Sequence, residues 1–344
     1  MREWVSLETA PRAGHGSYPC QGLYWTPDDG SRPTTAFIAT HYNVDFSEHY
    51  LASHLAERGF GFLGWNTRYR GNEQYFVLDS AVTDIGAGVR WLRDVAGVER
   101  VVILGNSGGG SLMGAYQSLS SGDQRADLYV SLQAHLGRPE VFTAWLDPAV
   151  VDETDPFTVD AALDMFDAAN GPPYSPEFLE RYRAAQVARN DRITAWAKAE
   201  LERHPQDRLF FVHRVWADPR FLDLTLDPSD RIVGCYAGDA RRANESPFGL
   251  GRVNTCRTWL SMWSLSESGC SCAPHLPKIT EPSLLVQSTG DTGIFPSDAR
   301  AMFDLMGADD KTIEWVDGDH YFQHSGSRDE VADLIASWVR ERNG

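Results

Sequence analysis

Apolar positions along this chain recur in two periods, and their alternation sets the expected order of elements. Short extended stretches at 5–7 and 22–25 precede the turn-rich Pro27-Asp28-Asp29-Gly30-Ser31-Arg32-Pro33, which reads as an opening hairpin. A buried strand follows at 35–40 (TAFIAT), a helical spacing at 47–58 and a second strand at 60–65 (FGFLGW). Residues 78–95 are amphipathic, with Val82, Ile85, Val89 and Leu92 three or four apart, and 101–104 is another apolar strand. One further strand lies at 126–132, after which the alternation stops until 282–287. It then resumes with a helix at 299–306, a strand at 312–316 and a helix at 328–342, where Val331, Leu334, Ile335 and Val339 share a face. Strands joined by crossovers of helical length imply a mostly parallel sheet with helices on both faces. The interruption implies an insertion after the sixth strand. Residues 1–136 and 281–344 form the expected core, and 137–280 a mainly helical cap with helical stretches at 175–188 and 191–203.

The strand at 101–104 runs directly into Gly105-Asn106-Ser107-Gly108-Gly109, and the next residues can begin a helix. This is a serine on a strand-to-helix elbow. The chain must reverse so sharply that the neighbours have to lack side chains, and the hydroxyl is thereby raised above the sheet as a nucleophile. Composition narrows the setting. The formal net charge of −17 in 344 residues disfavours nucleic acid, whose phosphates need clustered cations. No run approaches the length that spans a bilayer, and Met1-Arg2-Glu3-Trp4-Val5 lacks a signal-peptide core, which reads as a soluble cytoplasmic protein with no membrane partner. Five cysteines, an odd number, are expected to be reduced thiols. Cys270-Ser271-Cys272 with His275 lacks a second ligand pair, so no metal is expected.

Two later motifs complete the chemistry. Asp291 follows the 284–287 strand in Thr289-Gly290-Asp291-Thr292-Gly293, and His320 follows Trp315-Val316 in Asp317-Gly318-Asp319-His320-Tyr321. A serine, an acid and a histidine in that order, each after a strand, resemble the α/β-hydrolase family over nearly the whole chain, with the insertion where that family carries its lid. The resemblance implies a catalytic triad: Ser107 attacks, His320 takes its proton and Asp291 orients the ring. Asp319, adjacent to the histidine, is the nearest rival acid, and Asp309 and Asp310 read as turn residues. The resemblance also implies an oxyanion hole from the Gly108 N–H and a donor after the third strand. There, Thr40-His41-Tyr42-Asn43 departs from the family's usual His-Gly: Tyr42 stands at the glycine, and the donor falls at Asn43. His41 reads as a ring tying down that loop, and His41, Tyr42 and Tyr321 are candidate substrate contacts. Arg68 reads as structural.

The function implied is a serine hydrolase of carboxylesterase type, without metal or organic cofactor, acting on a carboxylic ester. Amides, thioesters, lactones and C–C bonds can be cleaved by the same constellation. A non-catalytic ligand-binding protein of this fold is the alternative of another class. The insertion carries Phe142, Trp145, Phe157, Phe166, Trp196, Phe210, Phe211, Trp216, Phe221, Trp259 and Trp263, so an apolar or aromatic small-molecule substrate is expected. Arg214, Arg220, Arg241 and Arg242 form no cluster that would demand an anionic one. The pattern leaves a homo-oligomer open.

Overall fold

The apolar runs become strands of one sheet in the computed structural model, which describes residues 1–8 and 19–342. In chain order the first six strands are β1 (Arg2–Glu8), β2 (Pro19–Trp25), β3 (Thr35–Ala39), β4 (Gly61–Asn66), β5 (Arg100–Asn106) and β6 (Leu128–Leu132). A separate antiparallel pair, β7 (Leu209–Phe211) and β8 (Val253–Thr255), lies in the chain between β6 and the next sheet strand, the stretch read from the sequence as an insertion, and β9 (Ser283–Ser288) and β10 (Lys311–Val316) complete the main sheet. Its order is β1-β2-β4-β3-β5-β6-β9-β10. Only the β1–β2 and β2–β4 pairings are antiparallel, and the rest are parallel.

The pleat sends alternate residues of β5 to opposite faces, which is why its run is apolar throughout. Val102 and Leu104 join Phe37, Val130 and Val286 in one core layer. That layer is covered by α1 (Ala52–Glu57) and by α9 (Ser327–Glu341) through Val331, Ile335 and Val339. Val101 and Ile103 join Ile38, Tyr129 and Leu285 in the other layer. It is covered by α2 (Leu78–Trp91), α3 (Gly109–Leu119) and α8 (Pro296–Leu305).

Three helical stretches differ most from the sequence reading. The helical spacing at 47–58 yields only α1, because the backbone before it is tied by side chains: Phe46 N–H donates to Asn66 Oδ1 and Ser47 N–H to Asp45 Oδ1. The amphipathic stretch at 78–95 leaves α-helical geometry after Trp91, widens into a π-turn and stops at Gly97, whose φ of 75° suits a residue without Cβ. The two helical stretches of the insertion are one helix, α5 (Pro176–Arg203), capped by Ser175 Oγ accepting from Phe178 N–H. Between β6 and β9 the chain also forms α4 (Arg138–Trp145), α6 (Ala240–Glu245) and α7 (Cys256–Thr258). Among the described residues, no helix is long and apolar enough to cross a membrane.

Candidate active site

The sheet's parallel strands deliver their C-terminal ends to one edge, and the predicted site residues gather there. Ser107 sits between β5 and α3 with φ of 54°, a left-handed conformation uncommon for a residue with a Cβ. The turn is held by Ser107 N–H donating to Leu132 O and by His135 N–H donating to Ser107 O. Its tightness requires glycine at 105, where an added Cβ would lie 2.7 Å from the Gly110 Cα. Asn106 anchors the strand end: its Nδ2 donates to Leu132 O, so its Oδ1 accepts, and His49 Nε2 must donate to it at 3.0 Å.

Ser107, His320 and Asp291 form a continuous hydrogen-bonded chain. His320 Nε2 is 3.0 Å from Ser107 Oγ, and His320 Nδ1 is 2.6 Å from Asp291 Oδ2. The carboxylate is fixed on its other side, where Oδ1 accepts the N–H groups of Gly293 and Ile294 at 2.8 and 3.0 Å. A carboxylate held at Nδ1 leaves the Nε2 lone pair of the neutral ring facing the serine hydroxyl. The rival Asp319 is engaged locally, accepting from the N–H groups of Tyr321 and Gln323. Asp310 pairs with Arg342, and Arg68 forms a bidentate pair with the buried Asp84.

A second imidazole missed by sequence reasoning also reaches the serine. His135 Nε2 is 3.4 Å from Ser107 Oγ, and burial holds its pKa well below that of a free histidine, so the ring is neutral. Its signal in the sequence was its place just after the β6 strand, at the edge where sheets of this kind carry their ligands. The insertion contributes Tyr236, whose ring lies 4.2 Å from that of His320 and whose hydroxyl is buried without a hydrogen-bond partner. Tyr321 packs edge-on against His320 at 4.7 Å and stays 43% exposed. Among the predicted aromatics, Trp145 and Trp216 stack at 4.3 Å and both lie 6.0 Å from Tyr236, whereas Phe157 and Phe211 point to solvent.

The loop after β3 is ordered from within. His41 Nδ1 accepts two backbone N–H groups, from Asn43 and Val44, each at 3.1 Å. The N–H of Asn43 is therefore engaged inside its own loop. The side chain of Tyr42 is buried, with its hydroxyl 3.2 Å from Ser111 Oγ. Gly108 opens α3 beneath this loop, and the space its side chain would fill is taken by the guanidinium of Arg138, 2.2 Å from where a Cβ would stand. Cys270 and Cys272 are buried thiols donating to Ser261 O and His135 O, and the His275 ring is bound to Ser118 and Gly269 O.

No protein-family model and no curated protein matches this sequence. Solved structures resemble it end to end. One described as DcsB in complex with its substrate analogue superposes with a TM-score of 0.60 at 13% identity, covering 99% of both chains. The α/β hydrolase GrgF from Penicillium sp. sh18 gives 0.56 at 13% identity, over 99% of this chain and 97% of that one. The esterase domain of a Rhodothermus marinus protein gives 0.51 at 13% identity, over 99% and 98%. With its mostly parallel eight-stranded sheet, its flanking helices and these neighbours, the chain has the α/β-hydrolase fold.

Proposed function

We propose that this protein is a serine hydrolase that cleaves a carboxylic ester through an acyl-enzyme. The observation that carries the reading is the unbroken chain from Ser107 Oγ through His320 to Asp291, with links of 3.0 and 2.6 Å, on a serine held in left-handed backbone geometry. A serine hydroxyl is a weak nucleophile until a neighbouring base takes its proton. His320 Nε2 accepts that proton as Ser107 Oγ bonds to the substrate carbonyl, and the buried carboxylate of Asp291 stabilises the resulting imidazolium. The ring then returns the proton to the leaving alcohol, and water repeats the sequence to release the acid. The Gly108 N–H is assigned to the oxyanion, with Asn43 as second donor, a role that requires its N–H to share or leave His41 Nδ1. The fold neighbours include a protein described as an esterase domain, which favours ester over amide cleavage.

The test is covalent labelling with a fluorophosphonate probe, read by mass spectrometry on the wild type and on Ser107→Ala. An adduct at Ser107, absent from the variant, together with loss of about 10,000-fold or more in ester turnover, is the expected result. An intact, folded protein that takes no label would overturn the reading in favour of a ligand-binding role.

A further inference from the structure

The guanidinium of Arg138 packs against Gly108, the nucleophile's neighbour, and no ion pair answers its charge among the described residues. It is 3% exposed, and no carboxylate lies within ion-pair distance of it among the described residues. Glu140, on the same helix, is turned toward Ser271, whose hydroxyl donates to its Oε1 at 2.5 Å. Arg138 Nη2 donates to Asn43 Oδ1 at 3.0 Å, and Nε is buried with no acceptor among the described residues. The aromatic faces of Tyr42 and Trp263, 4.8 and 5.5 Å away, offset part of this charge.

A second observation falls at the same spot. His41 Nδ1 accepts two backbone N–H groups, so the neutral ring carries its proton on Nε2. That Nε2–H faces Arg138 Nη2 at 3.3 Å, donor against donor. A buried cation with free donors, beside an imidazole N–H that lacks an acceptor, is an incomplete arrangement completed by an anionic oxygen. Burial draws the Arg138 pKa down to about 10, so the side chain is still cationic at neutral pH.

We propose that Arg138, with His41 Nε2–H, binds a carboxylate carried by the acyl part of the substrate, making the preferred substrates half-esters of dicarboxylic acids. This rests on the serine-hydrolase reading for the reaction, but not for the binding. Gly108 adjoins the nucleophile, so an acyl chain attached to Ser107 passes beside the guanidinium. The stacked Trp145 and Trp216 and the ring of Tyr236 supply apolar surface for the rest of the molecule. Arginine suits the task because its planar fork meets both carboxylate oxygens.

Two p-nitrophenyl esters test it: the half-ester of glutaric acid, and its isostere with an isopropyl group in place of the carboxylate. The ratio of their kcat/KM values should favour the half-ester in the wild type and fall roughly 30-fold to 1,000-fold in Arg138→Met, with an intermediate fall in Arg138→Lys. An unchanged ratio, with both esters slowed alike, would assign Arg138 to the oxyanion or to the fold and overturn the proposal. Calorimetry with glutarate separates this failure from that of the catalytic reading. Binding to the wild type and to Ser107→Ala, lost in Arg138→Met, sustains the anion site even if neither ester is cleaved. Absence of binding to the wild type overturns the site, whatever the fluorophosphonate labels.

Discussion

Two buried arginines in the insertion show how differently one residue type can be housed. Arg189, in the middle of α5, has no exposed surface; its Nε and Nη2 meet both oxygens of Glu153 at 2.7 and 2.8 Å. Its remaining donors go to the carbonyls of Asp147, His213 and Arg214. Arg138 is almost as deeply buried, yet it has one conventional acceptor, Asn43 Oδ1. The insertion therefore can neutralise a buried guanidinium completely, and it does so away from the nucleophile. Burial alone does not mark a binding residue; unmet donors beside a nucleophile do. Of the four arginines named from the sequence, Arg214 pairs with Asp147, Arg220 with Asp218 and Arg241 with Glu245, and Arg242 is exposed. Arg252 is also buried without a carboxylate partner among the described residues; its Nη2 donates to the carbonyls of Val215, Ala243 and Asn244 and its Nε and Nη1 stay unmet, so it is the place beside the nucleophile that sets Arg138 apart.

The sharpest way to break the comparison is to truncate both arginines. Arg189→Met strands Glu153 and three backbone carbonyls, and removing one partner of a buried pair costs about 3–5 kcal/mol. Glu153 keeps 30% of its side-chain surface in solvent, so the lower end of that range is expected from urea unfolding. The same truncation at Arg138 removes a charge with no counter-ion and leaves behind one amide oxygen, on a side chain that is itself only partly buried. Arg138→Met should unfold within about 1 kcal/mol of the wild type, or above it. A loss at position 138 equal to that at 189 would show that the two arginines do the same structural work.

The histidines on the core side of the site divide in a parallel way, and pH separates them from the arginines. His49 is fully bonded, donating from Nε2 to Asn106 and accepting Leu51 N–H at Nδ1. Burial pushes its pKa down to about 4. The unfolded chain takes up that proton near pH 6.5, whereas the folded one resists until about pH 4. The stability contributed by neutral His49 is therefore complete above pH 6.5 and is lost as pH falls toward 4. Between pH 7 and pH 5 the wild type should lose about 2 kcal/mol more than His49→Gln, a variant whose amide still donates to Asn106. Equal slopes in the two proteins would mean that His49 is already charged in the fold.

The two halves of the site were unequally legible in the sequence. Ser107, Asp291 and His320 each follow a strand within a few residues, so local pattern and chain order were enough to bring forward all three as candidates, and the fold sets them in hydrogen-bonded contact. Arg138 stands in Gly137-Arg138-Pro139, where no local pattern singles it out, and its meaning depends on an empty position thirty residues earlier, at Gly108. The single helix α5 was hidden for a related reason. Arg189-Asn190-Asp191 looks like a polar break, but Arg189 is held by Glu153 and Asn190 by Thr143 and the Trp263 carbonyl, so tertiary partners carry the helix through. Tyr236 carried no signal because the insertion's loops have no period to read.

The smallest expected effect belongs to another unmet group of the site. The Tyr236 hydroxyl is buried short of hydrogen-bond geometry, close enough to the Asp291 carboxylate for that charge to add to burial in raising its pKa, while its ring lies against His320. Removing the hydroxyl gives up at most a weak contact with Asp291 and relieves its desolvation, so Tyr236→Phe should stay within about 1 kcal/mol of wild-type stability. The ring contact is retained, so the position of His320 and the turnover of a neutral ester should change by less than about threefold. Tyr236→Ala, by contrast, removes the surface covering the imidazole. If Tyr236→Phe alone slowed turnover as much as Tyr236→Ala, the hydroxyl would be completed by substrate in the way argued for Arg138, and the division between met and unmet polar groups would extend to the wall that the insertion builds over His320.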